Sequence, residues 1–131
     1  MSPVHVVVAV IVNEQKQVII ALRQSHQHQG DLWEFPGGKV EKGEVAEVAL
    51  VREIKEELGI KIAKPSPLIK VKHHYQDKPV FLDVWSATDF EGDPRGMEGQ
   101  TIKWCAISAL KEFDFPAANL TIIETIQATK F

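Results

Sequence analysis

Apolar residues along this chain recur at two spacings, one typical of strands and one typical of helices. Residues 4–12 are apolar and mostly β-branched, which predicts a strand buried on both faces. Residues 13–16 make a turn, and residues 18–22 form a second strand. The remaining predictions are a loop over 25–31, strands over 68–74, 80–87 and 101–107, a surface loop over 90–100, a short helix capped by Ser108 and a helix over 119–130.

A further helix is predicted from about Glu44 to Leu58, and its two sides differ in character. At about 100° per residue, the aliphatic side is formed by Val51, Ile54 and Leu58, with Val48 at its margin. The opposite side carries Glu53, Glu56 and Glu57, together with the small residues Ala46 and Ala49. We therefore expect the aliphatic side to pack on the core and the carboxylates to face an open cleft.

The three glutamates repel one another. They stand at i, i+3 and i+4, and like charges at that spacing destabilise a helix by roughly 0.2–0.5 kcal/mol per pair. A divalent cation would offset the repulsion, and carboxylates suit Mg²⁺ or Mn²⁺. The alternative is a solvated acidic face without metal. Such a face usually places Lys or Arg four residues after each Glu, whereas Glu57 follows Glu53 here, so the pattern favours a metal site.

Glycines flank this helix on both sides. Gly37 and Gly38 precede it, and we expect them to allow positive φ and a close backbone approach to a ligand. Glu44 is expected near the positive end of the helix dipole. Gly59 is predicted to end the helix.

Composition narrows the class of protein. The chain has 131 residues, 44% of them apolar and 25% charged, which predicts one soluble domain over 1–131. A net charge of −3 argues against a nucleic-acid partner. Cys105 is the single cysteine and is expected to be a buried thiol. No targeting signal or membrane-length run is found, so we expect a cytoplasmic protein without a membrane partner.

Nine positions between Gly38 and Ile60 form a spaced motif. It reads Gly, five residues, Glu, seven residues, Arg-Glu, an aliphatic, any residue, Glu-Glu, any residue, Gly, an aliphatic. The matching residues are Gly38, Glu44, Arg52, Glu53, Ile54, Glu56, Glu57, Gly59 and Ile60. This segment resembles the signature box of the Nudix hydrolases. The resemblance implies an α+β fold, a Nudix-type α/β/α sandwich with a mixed β-sheet flanked by helices, and hydrolysis of a phosphoanhydride bond.

Roles for the carboxylates follow from this resemblance and from metal chemistry. We expect Glu57, Glu56 and the Gly37 carbonyl to hold Mg²⁺ or Mn²⁺, with Glu53 as the general base or as a ligand that orients it. Related enzymes place the base on different carboxylates, sometimes outside the box. Glu98 is such a candidate for base and metal ligand, and a solvated loop glutamate is an equal alternative.

Glu44 and Arg52 are expected to support the catalytic carboxylates. Arg52 is explained equally well as a structural fork that pins Glu44 or Glu56.

Three further segments extend the resemblance over nearly the whole chain. They are residues 33–39, 96–100 and 114–119, and they look like the MutT-type 8-oxo-dGTP diphosphatases. That subfamily reads the oxidised base with an asparagine, which here is Asn119. An Asn amide offers one acceptor and one donor, which match N7–H and O6 of 8-oxoguanine. Against ordinary guanine the amide carbonyl would stay unpaired, at a cost of about 1–3 kcal/mol if buried. Without the resemblance, Asn119 would be interpreted as a helix N-cap.

The resemblance also implies the other substrate contacts. They are Arg23, His28, Glu34, Phe35, Pro36, Gly37 and Lys78. Without the resemblance, Arg23 would be interpreted as a surface cation and Phe35 as a core aromatic. Lys78 stands where the subfamily has arginine, Tyr75 where it has phenylalanine, and Leu120 where it has an acidic residue.

These observations predict a monomeric enzyme that acts on a small nucleotide. Two alternatives stay open at this point. One is a Nudix pyrophosphohydrolase of another nucleotide, such as dCTP or CTP. The other is a non-catalytic nucleotide sensor, against which the complete set of box carboxylates argues.

Overall fold

The computed structural model describes residues 3–23, 31–75 and 78–131. Within them the chain forms nine β-strands, two α-helices and one 3₁₀ helix. In chain order these are β1 (Val4–Ile11), β2 (Gln17–Leu22), β3 (Trp33–Glu34), β4 (Gly37–Lys39), α1 (Ala46–Leu58), β5 (Lys61–Ala63), β6 (Ser66–Tyr75), β7 (Lys78–Ala87), β8 (Asp89–Glu91), β9 (Ile102–Ala106), the 3₁₀ helix (Ile107–Glu112) and α2 (Asn119–Ala128).

Strand β1 lies at the centre of the largest sheet. It pairs in parallel with β7 over its whole length, from Val4 opposite Val80 to Ile11 opposite Ala87. It pairs antiparallel with β4 on its other edge, and β6 pairs antiparallel with β7. The four strands form a mixed sheet in the order β4-β1-β7-β6, accompanied by a sheet of β3-β2-β9 and a pair of β5-β8.

The two faces of β1 belong to two different hydrophobic clusters, because successive side chains of a strand point to opposite sides. Val8 and Val10 pack in the cluster that includes α2, whereas Val7, Ala9 and Ile11 pack in the cluster that includes α1. None of these five side chains is more than 6% exposed. A sheet with one helix on each face confirms the predicted sandwich and the predicted burial of both faces of the first strand.

The ends of α1 agree in part with the prediction. The helix begins at Ala46, two residues after the predicted start, and Glu44 precedes its N-cap, Val45. Glu44 therefore lies just before the helix, and Glu47 is the acidic residue of the first turn. The predicted stop is confirmed, since Gly59 adopts the left-handed conformation with φ 71°.

The buried side of α1 differs from the predicted one. It is formed by Ala49, Leu50, Ile54 and Leu58. The prediction that Ala49 faces the cleft is wrong, because its side chain is fully buried, while Val48 is 57% exposed. A helical wheel gives the angles between side chains but not the direction in which the helix packs on the sheet, and this helix is rotated toward its acidic side.

Three smaller expectations are also corrected. Strand β8 begins at Asp89 and extends into the predicted surface loop, because it pairs with β5. Ser108 lies within the 3₁₀ helix, whose N-cap is Ala106. Asn119 is the first residue of α2 rather than its N-cap, and the N-cap Ala118 makes no side-chain cap. In the described residues no helix has the length and apolar character needed to cross a membrane.

Candidate active site

Two cavities share Glu34 and Glu57 in their walls. The larger has a volume of about 500 Å³ and a mainly apolar wall built from alternate residues of β1 and β7. That wall contains Val4, Val6, Val8, Val80 and Leu82. Asn119 at the start of α2 and Lys78 at the start of β7 add polar groups to it.

The smaller cavity, of about 270 Å³, is acidic. Its wall contains Glu34, Glu57 and Glu98, together with Ala21, Leu22, Pro36 and Gln100. Among the described residues that line it there is no lysine or arginine. Anionic groups therefore concentrate in one of two neighbouring cavities, and the other has a mainly apolar wall.

Gly37 and Gly38 are needed for space rather than for unusual backbone angles. They lie in β4, and neither has the positive φ that was expected. A Cβ on Gly37 would lie 2.0 Å from the carbonyl oxygen of Val7, and a Cβ on Gly38 would lie 2.2 Å from Oε2 of Glu53. The first glycine lets β4 pack against β1, and the second makes room for a carboxylate of α1.

Glu57 links α1 to this glycine strand. The backbone N–H of Gly37 donates to Oε2 of Glu57 at 2.9 Å. The pKa of Glu57 is raised to about 8, mainly by burial and in part by repulsion from Glu53, Glu98 and Glu34, while the hydrogen bond from Gly37 opposes the rise. A carboxylate with so high a pKa lacks a compensating positive charge.

Arg52 binds the box carboxylates that lie outside the cavities. Its Nε and Nη2 donate to the two oxygens of Glu44 at 2.8 and 2.9 Å, a bidentate pair. Its Nη1 donates to Glu53 at 2.9 Å and lies 3.3 Å from Glu56. The Arg52 hydrogen bond lowers the pKa of Glu44 to about 2, and Glu44 raises the pKa of Arg52. This geometry agrees with the fork that pins Glu44, and Arg52 lines neither cavity.

Glu53 and Glu56 also lie outside the cavity walls. The side chain of Glu53 is 16% exposed and sits against Gly38, whereas that of Glu56 is 55% exposed. Burial raises the pKa of Glu53, repulsion from Glu56 and Glu98 adds to the rise, and Arg52 opposes it. Of the five predicted metal ligands, the structure thus brings Gly37, Glu57 and Glu98 to the cavity walls. The other two, Glu53 and Glu56, line neither cavity.

The donor groups fit a hard divalent cation in their chemistry. In the described part of the chain, no three His, Cys, Asp or Glu side chains converge closely enough to hold an ion without movement. The available donors are nevertheless carboxylate and carbonyl oxygens, which Mg²⁺ prefers. The high pKa of Glu57 shows that its ionised form is unfavourable without a cation, and a bound cation would stabilise that form.

The predicted substrate residues that the structure describes lie around the two cavities. Arg23 donates from Nη1 to Oε1 of Glu34 at 2.7 Å, and burial raises the pKa of Glu34 although Arg23 opposes this. Phe35 is 4% exposed and stacks on Phe115 with ring centroids 5.2 Å apart, so it is both a core aromatic and part of the cavity wall. Pro36 accepts from the N–H of Ala9 at 2.8 Å.

Asn119 is 9% exposed, and among the described residues its side-chain amide makes no hydrogen bond. Lys78 is exposed at the edge of the larger cavity. His28 and the side chain of Tyr75 lie outside what the structure describes.

Sequence reasoning missed two features of the site. One is the side chain of Gln100, which reaches the acidic cavity. The other is the apolar wall formed by Val4, Val6 and Val8. Their alternation along β1 was readable, but a strand interpreted as buried on both faces gave no reason to assign one face to a ligand.

The fold and site define a Nudix domain. The family model described as NUDIX domain matches residues 7–125, and the chain belongs to this family. Among curated proteins, the chain is 36% identical to the 8-oxo-dGTP diphosphatase of Escherichia coli K12, over 97% of this chain and 98% of that protein. It is 32% identical to the CTP pyrophosphohydrolase of the same organism, over 95% and 92%.

Solved structures agree with this assignment. A MutT structure from a study of the Aliivibrio salmonicida and Vibrio cholerae proteins superposes with a TM-score of 0.85 at 36% identity, covering 97% of this chain and 98% of that chain. The solution structure of the E. coli ORF135 protein superposes with a TM-score of 0.87 at 31% identity, covering 98% and 91%. The α+β sandwich with a mixed sheet is therefore shared with proteins of this family.

Proposed function

We propose that the protein hydrolyses nucleoside triphosphates with Mg²⁺ or Mn²⁺, preferring 8-oxo-dGTP, and releases 8-oxo-dGMP and pyrophosphate. One observation carries this proposal: the apolar cavity with Asn119 and the acidic cavity share Glu34 and Glu57. A molecule with a flat base at one end and a polyphosphate at the other fits that arrangement. Its consequence in the cell would be removal of an oxidised precursor before DNA replication, which avoids mutation.

Asn119 provides the base preference. Its amide is largely buried and makes no hydrogen bond in the described structure, so it is available to the base. The carbonyl would accept from N7–H of 8-oxoguanine and the amino group would donate to O6. Ordinary guanine has a lone pair at N7, which leaves the carbonyl unpaired at a cost of about 1–3 kcal/mol.

The box carboxylates and Glu98 provide the hydrolytic chemistry. Glu57, Glu56, the Gly37 carbonyl, Glu53 and Glu98 are the groups proposed to hold the cation. When bound, Mg²⁺ would polarise the phosphoryl group and neutralise developing charge. Glu53 or Glu98 accepts a proton from the attacking water, whose oxygen bonds to the β-phosphorus while the bond to the α-phosphate oxygen breaks.

Other side chains position these groups and the substrate. Arg52 holds Glu44 and Glu53 through its guanidinium. Arg23 and His28 are proposed to contact the phosphates and the sugar, and Lys78 is proposed to contact the base.

A panel of nucleotides tests the proposal. Pyrophosphate release would be measured with Mg²⁺ for 8-oxo-dGTP, dGTP, dCTP and CTP, and kcat/KM for 8-oxo-dGTP is expected to be the highest. A preference for pyrimidine nucleotides would contradict the proposed preference for 8-oxo-dGTP but would still agree with a nucleotide hydrolase. Tight binding of a triphosphate without release of pyrophosphate would identify a nucleotide sensor instead.

The variant Asn119→Ala isolates the base-reading step. We expect the ratio of kcat/KM for 8-oxo-dGTP over dGTP to fall by about tenfold, the equivalent of one unpaired buried group. The matched control is Leu120→Ala, since Leu120 is the next residue and is 53% exposed. An equal loss on both substrates in Asn119→Ala would remove this residue from base recognition.

The second candidate is a CTP or dCTP pyrophosphohydrolase. It is favoured by the relative of that name, which is 32% identical over 95% of the chain. Lys78 also departs from the arginine of the 8-oxo-dGTP subfamily, and lysine cannot stack or bind in a bidentate manner as arginine does.

The proposal includes action as a monomer on free nucleotides in the cytoplasm. The net charge of −3 supports a small-molecule substrate over nucleic acid, because no basic field attracts a phosphate backbone. Light scattering during size-exclusion chromatography measures the oligomeric state, and electrophoretic mobility shift measures binding of nucleic acid.

A further inference from the structure

The carboxyl end of α1 is closed by the loop of residues 95–100. A helix leaves its last four carbonyls without partners inside the helix. Here the carbonyl of Leu58 accepts from the N–H of Arg95 at 2.9 Å, and the carbonyl of Glu57 accepts from the N–H of Met97 at 2.9 Å. The loop thus binds the last turn of the helix that carries the box glutamates.

Gln100 adds a second attachment at the same place. Its Nε2 donates to the carbonyl of Glu57 at 3.0 Å, and its Oε1 accepts from the backbone N–H of Glu98 at 2.9 Å. One side-chain amide therefore joins the backbones of two glutamates that are remote in sequence and line the same cavity.

Glutamine is specifically suited to this position. The amide supplies a donor and an acceptor in fixed relative positions, and the two partners, a carbonyl and an N–H, determine which way it is oriented. Glutamate at position 100 would lack the donor, and methionine of the same length would lack both groups. Asparagine is one methylene shorter, so it would not reach both partners.

The turn between Gly96 and Gln100 leaves little freedom of its own. The N–H of Gly99 donates to the carbonyl of Gly96 at 3.1 Å, and Gly99 has φ 82°. A Cβ on Gly96 would lie 1.9 Å from the carbonyl oxygen of Gln100. Glu98 sits at the tip of this turn. Among the described residues its carboxylate makes no hydrogen bond or ion pair, so the contacts of the loop backbone are what place Glu98 beside the acidic cavity.

The Glu98 carboxylate lies near enough to those of α1 to repel them. Repulsion from Glu98 contributes to the raised pKa of Glu57 and to that of Glu53.

We propose that Gln100 is a positioning residue of the active site, which fixes Glu98 relative to Glu57 through its bridging amide. Its effect on catalysis rests on the proposed function, because the position of Glu98 matters to turnover only if this cavity hosts hydrolysis. Gln100 acts through Glu98 and is not itself a group that reacts.

The test compares Gln100→Met with Gln127→Met. Gln127 is a matched control, since its Nε2 also donates to a distant backbone carbonyl, that of Ile107, at 2.9 Å. It lies in α2 and lines neither cavity. Both variants would be assayed for kcat and KM with Mg²⁺, for melting temperature, and for hydrogen exchange of the Met97 and Glu98 amides.

Gln100→Met is expected to lower kcat by about 10–100-fold, the usual effect of losing a partner that orients a ligand. KM should change by less than about twofold, because uniform binding of the nucleotide is unaffected. Exchange of the Glu98 amide should accelerate in Gln100→Met and stay unchanged in Gln127→Met.

Two results would overturn the proposal. One is unchanged exchange of the Glu98 amide in Gln100→Met, which would show that the bridge does not hold the loop. The other is a kcat that stays within about twofold of the parent protein, or that falls equally in the control. A parent protein that hydrolyses no nucleotide would refute the proposed function instead, and the exchange measurement would still decide whether Gln100 positions Glu98.

Discussion

Two groups of glutamates on α1 and its neighbours have opposite electrostatic environments. The paired cluster, Glu44, Glu53 and Glu56, surrounds the guanidinium of Arg52. The open cluster, Glu57 and Glu98, faces the acidic cavity and makes no ion pair among the described residues. All but Glu98 belong to the same sequence motif, so the difference arises from three-dimensional neighbours.

The pKa values express this contrast most clearly at Glu44 and Glu57. A bidentate hydrogen bond from Arg52 lowers the pKa of Glu44 to about 2. Burial and like charges raise the pKa of Glu57 to about 8. A carboxylate that already has its cation stabilises the fold, and one that lacks a cation is available to bind one. Glu53 stands between these states, because it accepts from Arg52 and still has a raised pKa.

The largest effect should come from removing the charge of the open cluster. Glu57→Gln keeps the size of the side chain but loses an anionic ligand, so we expect kcat to fall at least about a hundredfold. Calorimetry should show weaker Mg²⁺ binding in the same variant. Glu124→Gln, an exposed glutamate of α2, is the control. If kcat of Glu57→Gln stays within about tenfold of the parent protein, the essential negative charge belongs to a residue other than Glu57.

The carboxylate of Glu53 occupies the space that a side chain at Gly38 would fill. Gly38→Ala would place a methyl group 2.2 Å from Oε2 of Glu53, so the carboxylate must move. We expect a loss of about 1–3 kcal/mol in the free energy of unfolding, typical of overpacking, and a fall of about tenfold in kcat. Urea denaturation measures the first and steady-state kinetics the second.

A double-mutant cycle provides the control for this prediction. Adding Gly38→Ala to Glu53→Ala should cost little stability, because the clashing carboxylate has been removed. A full cost in that background would show that the methyl group clashes with something other than Glu53.

The paired cluster depends on the shape of the guanidinium as well as its charge. Arg52→Lys keeps the charge but loses the fork that binds both oxygens of Glu44. We expect kcat to fall several-fold to about tenfold and the melting temperature to fall by a few degrees. Arg95→Lys is the control, because Arg95 is exposed and contacts α1 through its backbone N–H. Equal effects in both variants would remove the special role of the fork.

The smallest predicted effect is on the pH dependence of stability without metal. The pKa of Glu57 is near 4.5 when unfolded and about 8 when folded, so the folded state holds the proton more tightly. This contribution is fully present below pH 4.5 and is lost as pH rises to about 8. Melting temperatures in chelator should therefore decline between pH 5 and 8.5.

The comparison for this last effect is Glu57→Gln, in which the alkaline decline should be reduced. Mg²⁺ should also reduce it in the parent protein, because a bound cation stabilises the ionised carboxylate. A profile that is identical in parent and variant would show that Glu57 is not the titrating group.

The sequence predicted the features that depend on local pattern. The burial of both faces of β1, the end of α1 at Gly59 and the presence of α2 all follow from residue spacing and turn chemistry. The short strands β3, β4, β5 and β8 were not predicted, because two or three residues carry no periodicity and their pairing is a tertiary effect.

The same reasoning explains what was predicted of the site. The motif identified Glu53, Glu56 and Glu57 as a charged group, but spacing alone could not show that Glu57 faces the cavity while Glu56 turns toward Arg52. The direction of α1 on the sheet decides that difference. Gln100 was also missed, because its partners are backbone atoms of a turn and of a distant helix.

The single thiol of the chain provides an internal probe of unfolding. Cys105 lies in β9 within the cluster on the α2 side, is 3% exposed, and has a pKa raised by burial. Alkylating reagents should modify it only when that side of the molecule opens. Its labelling rate would thus distinguish variants that destabilise the sheet from variants that change only the chemistry at the acidic cavity.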